Sequence, residues 1–477
     1  MSLPNTHFGP DSILGMLEKG KKLFFLGIGG VSMNSLAHLS HERGFDVAGY
    51  DRTPSSITEK LENNGITVYY DSDASHVENC AAVVYTNAMS ADNPEYIRAR
   101  ELGIPCVSRA DFLGYLMMDY RRRIGVAGTH GKSTTTGLLD SVFRFAGVES
   151  TVMGGAPMKD TGMCDRLGGK EYYAFEACEY MDSFLNFRPT TAILLNVELD
   201  HVDYFPDIDA LSASCCRFLN LAGDDGYAVV NADDPGTARL RDGIKTNVVT
   251  FGRKNPADYS SANEEIGGGF ASFDVMHDGK KLARVRLSIP GEHNISNALA
   301  AFAACSLNGI GPEEIAGGLS RFSGIGRRME KIGETARGAL IYTDYAHHPS
   351  EIRATLKAAG AMKGTKRLRV VFQPHTYSRT AALFDDFTAA FADSAVDEVL
   401  LCDIYAAREI NTYGVSSADL AGAVAKLGKP AFAAADFEEA ADRLAADSEE
   451  GDMIIVMGAG DVVKISNMLV GRGGDKQ

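Results

Sequence analysis

The sequence predicts an α/β protein of three successive domains, and three observations carry that expectation. Short apolar runs alternate with stretches of helical spacing from end to end, the pattern of mostly parallel sheets covered by helices. Two glycine-rich turns, Gly27–Ser32 and Gly128–Gly131, each follow an apolar run and open a helix, which is how nucleotide-binding β-α-β units begin. At roughly 150 residues per domain, 477 residues make about three. The expected divisions are a Rossmann-like domain over 1–119, a central mononucleotide-binding domain of the P-loop type over 120–329 and a second Rossmann-like domain over 330–477.

The first domain opens with a strand from Lys21 to Leu26, the turn Gly27-Ile-Gly-Gly-Val-Ser32, and a helix whose Met33, Leu36, Ala37 and Leu39 share a face. A second strand, Asp46 to Tyr50, ends at Asp51, about twenty residues past the glycines, and completes the outline of a nucleotide-binding unit. A full dinucleotide fingerprint has glycine where Ser32 stands. Strands are expected at Thr67–Tyr70, Ala82–Thr86 and Pro105–Val107, with helices over Pro94–Leu102 and Arg109–Tyr120.

In the central domain Ile124–Ala127 reads as a buried strand, and Lys132-Ser-Thr134 opens a helix running through Leu138, Leu139, Val142 and Phe143. Strand, turn and helix start aim free backbone N–H groups and the positive end of the helix dipole at one point. Gly131 lets the backbone approach a phosphate, Lys132 reaches the outer phosphates and the Ser133 hydroxyl can ligate Mg²⁺. Val126 departs from the full phosphate-loop pattern, which begins with glycine. Further strands are expected at Tyr172–Glu176, Thr191–Asn196, Tyr227–Asn231 and Asn247–Phe251, with a helix over Leu211–Leu221. Antiparallel hairpins over Gly267–Ile289 turn at Asp278-Gly279, and a strongly apolar helix spans Ala298–Leu307.

The third domain alternates strands at Leu340–Thr343, Leu368–Phe372, Glu398–Cys402 and Met453–Met457 with amphipathic helices. The glycine-rich, charged tail after Val470 is expected to fray.

With 47 basic against 63 acidic residues the net charge is −16, a field that opposes sequence-independent nucleic-acid binding. The eight cysteines form no C-x-x-C pair, the usage of reduced thiols in a cytosol. No signal-peptide pattern opens the chain, and no apolar run is long enough for a membrane span. The expectation is a soluble, cytoplasmic protein.

Polar clusters fall at the expected strand ends, where open parallel sheets bind ligands. Glu176 is a natural Mg²⁺ ligand facing a phosphate loop, with Glu179 as rival. His201 follows Asp200; on chemistry alone it reads as a buried structural histidine, since Mg²⁺ rarely takes imidazole. His293, Asn294 and Asn297 either cap a helix or bond a purine edge. Arg327-Arg328 is either a solvated pair or a guanidinium fork for a γ-phosphate. Asp344-Tyr345-Ala-His347-His348-Pro349 and Gln373-Pro-His375-Thr-Tyr-Ser-Arg379 are dense enough in donors and acceptors to grip a small substrate.

These motifs together resemble the Mur ligase family over nearly the whole chain, Gly27 to about Gly460. Gly128-Thr129-His130-Gly131-Lys132-Ser133 is similar to the family's ATP loop, continued by Thr134. Phe175-Glu-Ala-Cys-Glu-Tyr180, Asn196-Val-Glu-Leu-Asp-His201 and Gly291-Glu-His-Asn-Ile-Ser-Asn297 resemble its metal and adenine motifs. The resemblance implies that Ser133 and Glu176 hold one Mg²⁺ and that His201, against the reading from chemistry alone, sits at a second. It implies adenine-side roles for His293, Asn294 and Asn297, and ATP contacts for Lys132, Arg328 and Asp344, with Arg327 an alternative to Arg328. The two C-terminal clusters are similar to those of the member that adds L-alanine to UDP-N-acetylmuramate. Tyr345 would then bind substrate, and His375 and Arg379 would help hold the amino acid's carboxylate; Thr376 stands where that member often has another arginine. From its position alone, and not from the resemblance, His347 or His348 is expected to help deprotonate the ammonium. Gly29, Gly30, Ser32 and Asp51 would belong to the UDP site, although Val31-Ser32 and Asn34 depart from the small-residue run usual there. The implied cofactors are ATP and Mg²⁺, with no nucleic-acid or membrane partner, in a monomer or weak homodimer. A recycling member that attaches a preformed murein peptide lacks the His-Thr-Tyr-Ser-Arg run. A nicotinamide oxidoreductase would leave Gly131-Lys-Ser133 without a job, and a UDP-sugar sensor would form no ATP-dependent product.

Overall fold

The computed structural model describes residues 3–17, 22–362, 366–407 and 409–472. Lys21, expected to head the first strand, and the last five residues of the tail lie outside the described residues. Three sheets organise the chain. In the first, β1 (Lys22–Leu26), β2 (Asp46–Tyr50), β3 (Thr67–Tyr69), β4 (Ala82–Tyr85) and β5 (Cys106–Ser108) run parallel in the order β3-β2-β1-β4-β5. Chain order reverses between β1 and β4, so the Gly27–Ser32 turn lies at the switch point where such sheets bind ligands.

The central sheet comprises β6 (Arg122–Ala127), β7 (Ser150–Met153), β8 (Asp165–Arg166), β9 (Tyr172–Glu176), β10 (Thr191–Leu194), β11 (Tyr227–Asn231), β12 (Asn247–Gly252), β13 (Tyr259–Gly267), β14 (Phe270–His277) and β15 (Lys280–Pro290). Its order is β15-β14-β13-β12-β11-β10-β6-β9-β7-β8. The strands from β13 to β15 pair antiparallel, and β14 turns into β15 through Asp278 (φ 49°) and Gly279 (φ 72°), the two left-handed residues that a tight hairpin needs. The helix His293–Leu307 is apolar all round from Ala298 to Cys305 because that stretch is enclosed, with β11–β13 on one side and the helix Lys132–Ala146 on another.

The third sheet holds β16 (Glu330–Glu334), β17 (Leu340–Asp344), β18 (Leu368–Phe372), β19 (Glu398–Leu401), β20 (Ala431–Ala433) and β21 (Met453–Met457) in the order β16-β17-β21-β18-β19-β20, antiparallel only at β16. The α/β class and the parallel sheets are as the alternation predicts. Three details differ. The helix expected over Arg109–Tyr120 ends at Leu116 and tightens into a 3₁₀ turn over Met117–Asp119. Helices at Pro10–Leu17, Ser56–Asn63 and Pro312–Arg321 were not anticipated. The tail does not fray directly after Val470: Gly471 donates to the Glu334 carbonyl and Arg472 pairs with Glu438 and Asp442. No helix among the described residues is long and apolar enough to cross a membrane.

Candidate active site

β6 lies between β9 and β10, so the loops that follow these three strands leave the sheet side by side. The phosphate loop is zipped to the β10 loop. Asn196 accepts the His130 N–H at 2.8 Å and donates to the His130 carbonyl at 3.1 Å, while Thr129 Oγ1 accepts the Glu198 N–H at 2.9 Å. Gly131, at φ +85°, is the N-cap of the helix Lys132–Ala146 and supplies no side-chain cap, so the first N–H groups point forward unclaimed by one. A Cβ at Gly131 would stand 2.6 Å from Asn297 Oδ1. Lys132 Nζ donates to the Gly128 and Thr129 carbonyls at 2.5 and 3.2 Å and to both oxygens of Glu179 at 3.3 and 3.2 Å. Burial works against its charge, but Glu179 and its neighbours outweigh burial and raise the ammonium's pKa.

Glu176, at the end of β9, accepts the Gly155 N–H at 2.6 Å; a Cβ at Gly155 would meet its other oxygen at 2.7 Å. Glu179 is buried and lies 3.6 Å from His201 Nε2 as well as against Lys132. His201 is not the buried structural histidine that chemistry alone suggested. Its side chain is 24% exposed, its backbone is left-handed (φ 52°), and its ring leans on Tyr180 at 4.7 Å.

A cavity of about 290 Å³ gathers His130, Gly131, Thr134, His293, Asn294, Asn297, Arg328 and Asp344, residues drawn from four separate motifs. The two asparagines are not helix caps. The N-cap is Glu292; Asn294 donates to the Pro290 carbonyl at 2.7 Å and Asn297 to Asn294 Oδ1 at 2.9 Å. Burial, then Arg328, pushes His293 down to about 4, so its ring is neutral. The paired arginines part company because Arg327 and Met329 are both left-handed (φ 57° and 44°). Arg327 donates to the Gly458 and Gly460 carbonyls at 2.6 and 3.3 Å, whereas Arg328 lines the cavity and donates to Glu351 at 3.1 Å. Both guanidiniums lie over the Tyr345 ring, at 4.7 and 5.4 Å. Asp344 is buried, which raises its pKa, and accepts the Met329 and Ala346 N–H groups at 2.8 Å each.

The seam between the central and third units is polar and buried. His130 Nε2 lies 3.0 Å from Ser350 Oγ and 3.4 Å from Glu198, and its Nδ1 lies 3.6 Å from Glu351; Ser350 Oγ donates to Glu198. Burial disfavours charge on His130, yet Glu198 and Glu351 overcome it and hold the imidazolium at about 9. Burial likewise opposes ionised Glu198, but His130 and Ser350 draw it down to about 2. His347 lies against Glu351, and His348 bonds Ser350 and reaches the Leu199 carbonyl at 3.3 Å.

A second cavity on the same seam is lined by Tyr180, Asp200, His201, His375, Arg379 and Glu409, among others. Arg379 Nε and Nη2 donate to Asp200 Oδ1 at 2.9 and 2.8 Å, and Nη1 lies 3.2 Å from His375 Nδ1. Burial opposes the Asp200 charge, and Arg379 more than compensates, holding the carboxyl well below its usual range. His375 stacks on Tyr405 at 5.4 Å and is pushed down to about 4 by burial and then Arg379. Thr376, at φ 67°, caps the following helix by accepting the Arg379 N–H. In the first unit, Asp51 accepts the Gly29 N–H at 2.7 Å, Gly30 caps the next helix and Ser32 is exposed. A Cβ at Gly29 would meet Asp51 at 2.8 Å and Thr58 at 2.9 Å.

Residues 22–121 match the Mur ligase family catalytic domain, 126–305 the Mur ligase middle domain and 327–460 the Mur ligase glutamate ligase domain. The chain belongs to the Mur ligase family. A UDP-N-acetylmuramate–L-alanine ligase of Acetivibrio thermocellus is 42% identical over 458 residues, spanning 95% of this chain and 96% of its own. One from Clostridium acetobutylicum is 42% identical over 455 residues, spanning 95% and 98%. Among solved structures, the UDP-N-acetylmuramate-alanine ligase of Thermotoga maritima aligns with a TM-score of 0.77 at 26% identity, over 94% of this chain and 98% of that one. A murein peptide ligase of Psychrobacter arcticus aligns with a TM-score of 0.70 at 25% identity, over 94% and 98%.

Three seam residues of this Mur ligase escaped sequence reasoning: Glu198, Ser350 and Glu351. Glu198 lies inside a motif that was singled out, and Ser350 and Glu351 follow directly on another. Proximity to the His347-His348 pair was the available signal.

Proposed function

We infer that this Mur ligase joins L-alanine to UDP-N-acetylmuramate at the expense of ATP, giving UDP-N-acetylmuramoyl-L-alanine, ADP and phosphate for peptidoglycan precursor synthesis. Agreement along 95% of the chain with ligases of that specificity carries the reading.

Mur ligases are ATP-dependent, and the residues fit a triphosphate. A Cβ at Gly131 would press on Asn297, the helix start is uncapped by any side chain, Lys132 opens that helix and Arg328 lines the cavity beside it. The hydroxyl of Ser133 and the carboxylate of Glu176 are hard oxygen donors suited to one Mg²⁺. Glu179 gives both its oxygens to Lys132, which leaves Glu176 the freer carboxylate. His201 would stand at a second ion. Bound Mg²⁺ neutralises charge on the phosphate oxygens.

The substrate's lactyl carboxylate attacks the γ-phosphorus in line, ADP leaves and an acyl phosphate forms. Lys132 and Arg328 spread the developing charge by position alone. Asp344 holds the Arg328–Met329 turn through its backbone bonds. The amine of alanine then attacks the acyl carbon and phosphate leaves. Arg379 and His375 hold the alanine carboxylate, and Gly29, Gly30, Ser32 and Asp51 hold the uridine nucleotide. The seam contacts keep water from the acyl phosphate.

The test is ATP- and Mg²⁺-dependent phosphate release with UDP-N-acetylmuramate across a panel of amino acids and a murein tripeptide. L-alanine is expected to support the fastest release. A tripeptide that outcompetes it would transfer the chain to the recycling branch of the family.

A further inference from the structure

The two neighbouring histidines of the Asp344 loop are not equivalent. His347 Nδ1 lies 3.0 Å from the Tyr345 carbonyl and 3.2 Å from Glu351 Oε2. A carbonyl and an ionised carboxylate only accept, so Nδ1 carries the hydrogen and Nε2 keeps its lone pair. Burial opposes ionisation of Glu351, but a protonated His347, Arg328 and His130 hold it well below the usual carboxylate range, and with His347 neutral the cations of Arg328 and His130 remain beside it, so it is the anion this tautomer needs. Among the described residues, Nε2 of His347 has no hydrogen-bond partner, and the side chain is 19% exposed. Burial, then Arg379, pushes His347 down to about 4, which leaves the ring neutral at physiological pH.

His348 has both nitrogens spent. Its Nε2 donates to the Leu199 carbonyl at 3.3 Å, and its Nδ1 accepts the Ser350 N–H at 3.4 Å and is walled off by the Ser350 hydroxyl at 2.7 Å. Its side chain is only 7% exposed.

His347 also stands between the two cavities. Glu351 lines the nucleotide cavity, and His375, whose ring centre is 6.1 Å from that of His347, lines the other. The acyl carbon must meet the amine between those two places.

We propose that His347 Nε2 takes the proton of the attacking amine, and that Glu351 is the positioning residue that fixes this tautomer while holding Arg328 on the nucleotide side. The assignment rests on the ligase reading above. Alanine arrives as the ammonium, and one of its protons passes to Nε2, which frees the lone pair that forms the C–N bond. The C–O bond to phosphate then breaks, its electron pair leaves on the phosphate, the phosphate takes the second proton from the nitrogen, and the imidazolium releases its proton to solvent.

His347→Asn tests this while preserving the donor toward the Tyr345 carbonyl. The assay compares alanine amide with hydroxamate formed from hydroxylamine, an amine neutral at pH 7 that traps acyl phosphate without help. His347→Asn is expected to lose about 100-fold or more in amide, within the range for a general base, and to keep hydroxamate near the parent rate. His348→Asn is expected to lower both products together. Glu351→Gln is expected to depress amide more than hydroxamate and to raise the KM for ATP, with partial recovery in Glu351→Asp. Equal loss of both products in His347→Asn, or a selective loss of amide in His348→Asn, would overturn the assignment. A parent amide-to-hydroxamate ratio in Glu351→Gln would remove the positioning role. If the parent itself makes no alanine-dependent product, the ligase reading falls and takes the assignment with it.

Discussion

Arg379 pairs with Asp200 and, in the proposed function, also grips the alanine carboxylate; substituting it separates the two. Its Nε and Nη2 both sit on Asp200 Oδ1, in a pair where Asp200 is 5% and Arg379 7% exposed. Arg379→Met removes the charge at similar volume. Losing a charge-assisted bond to the alanine carboxylate costs about 1.5–3 kcal/mol, one to two decades in alanine KM at about 1.4 kcal/mol per decade. The same change strands Asp200 as an uncompensated buried carboxylate, a penalty of about 3–5 kcal/mol that falls on closing the seam. The single variant should therefore lose kcat as well as alanine affinity. In Arg379→Met/Asp200→Asn no charge is stranded. Steady-state phosphate release should show kcat recovered to within about tenfold of the parent (about 1.4 kcal/mol), while the alanine KM stays raised and the ATP KM hardly moves. An alanine KM restored to the parent value in the double variant would mean that Arg379 serves only Asp200. Equal rises in the KM for ATP and alanine would also refute the grip.

Three more outcomes are expected. Lys132→Ala should leave UDP-N-acetylmuramate binding, measured by calorimetry, nearly intact and cut turnover by at least about a hundredfold, the scale of one lost electrostatic stabiliser; near-normal ATP turnover would remove the loop from the mechanism. Gly131→Ala places a side chain at φ +85° and a Cβ 2.6 Å from Asn297 Oδ1, so the ATP KM should rise at least about tenfold for a strain of roughly 1–3 kcal/mol, with little effect on the alanine KM. The seam carries a pH signature. His130, held at about 9 against 6.5, contributes stability that is complete below pH 6.5 and lost as pH rises through 9; Glu198, held at about 2 against 4.5, contributes above pH 4.5 and loses it as pH falls through 2. The Tm advantage of the parent over His130→Gln should be flat between pH 4.5 and 6.5 and shrink from there to pH 9; an advantage that grows over that upper range would contradict the seam's charge pattern.

What the sequence revealed and what it hid follow from how far each signal reaches along the chain. Strands such as β11 and β18 announce their own ends, because parallel strands buried on both faces read as unbroken apolar runs. β16 does not, since Glu-Lys-Ile-Gly-Glu at a half-exposed edge has no such run, and the helix Ser56–Asn63 buries only Thr58 and Leu61. The phosphate loop was legible because strand, turn and helix start lie within a dozen residues. Arg327 and Arg328 were indistinguishable as a dipeptide; the left-handed backbone at Arg327 sends them to different places, and nothing in their composition encodes it. Glu351 is the sharper case. An acidic residue in the first turn of a helix is ordinary dipole chemistry, so it invites no second explanation. Its other property is that His130, some 220 residues earlier, Arg328 and His347 converge on one carboxylate shielded from water. The contact with His347 is a local one, four residues apart, but the docking of the third sheet against the central one brings His130 to the same carboxylate, and that part of the convergence is written nowhere in the neighbouring sequence.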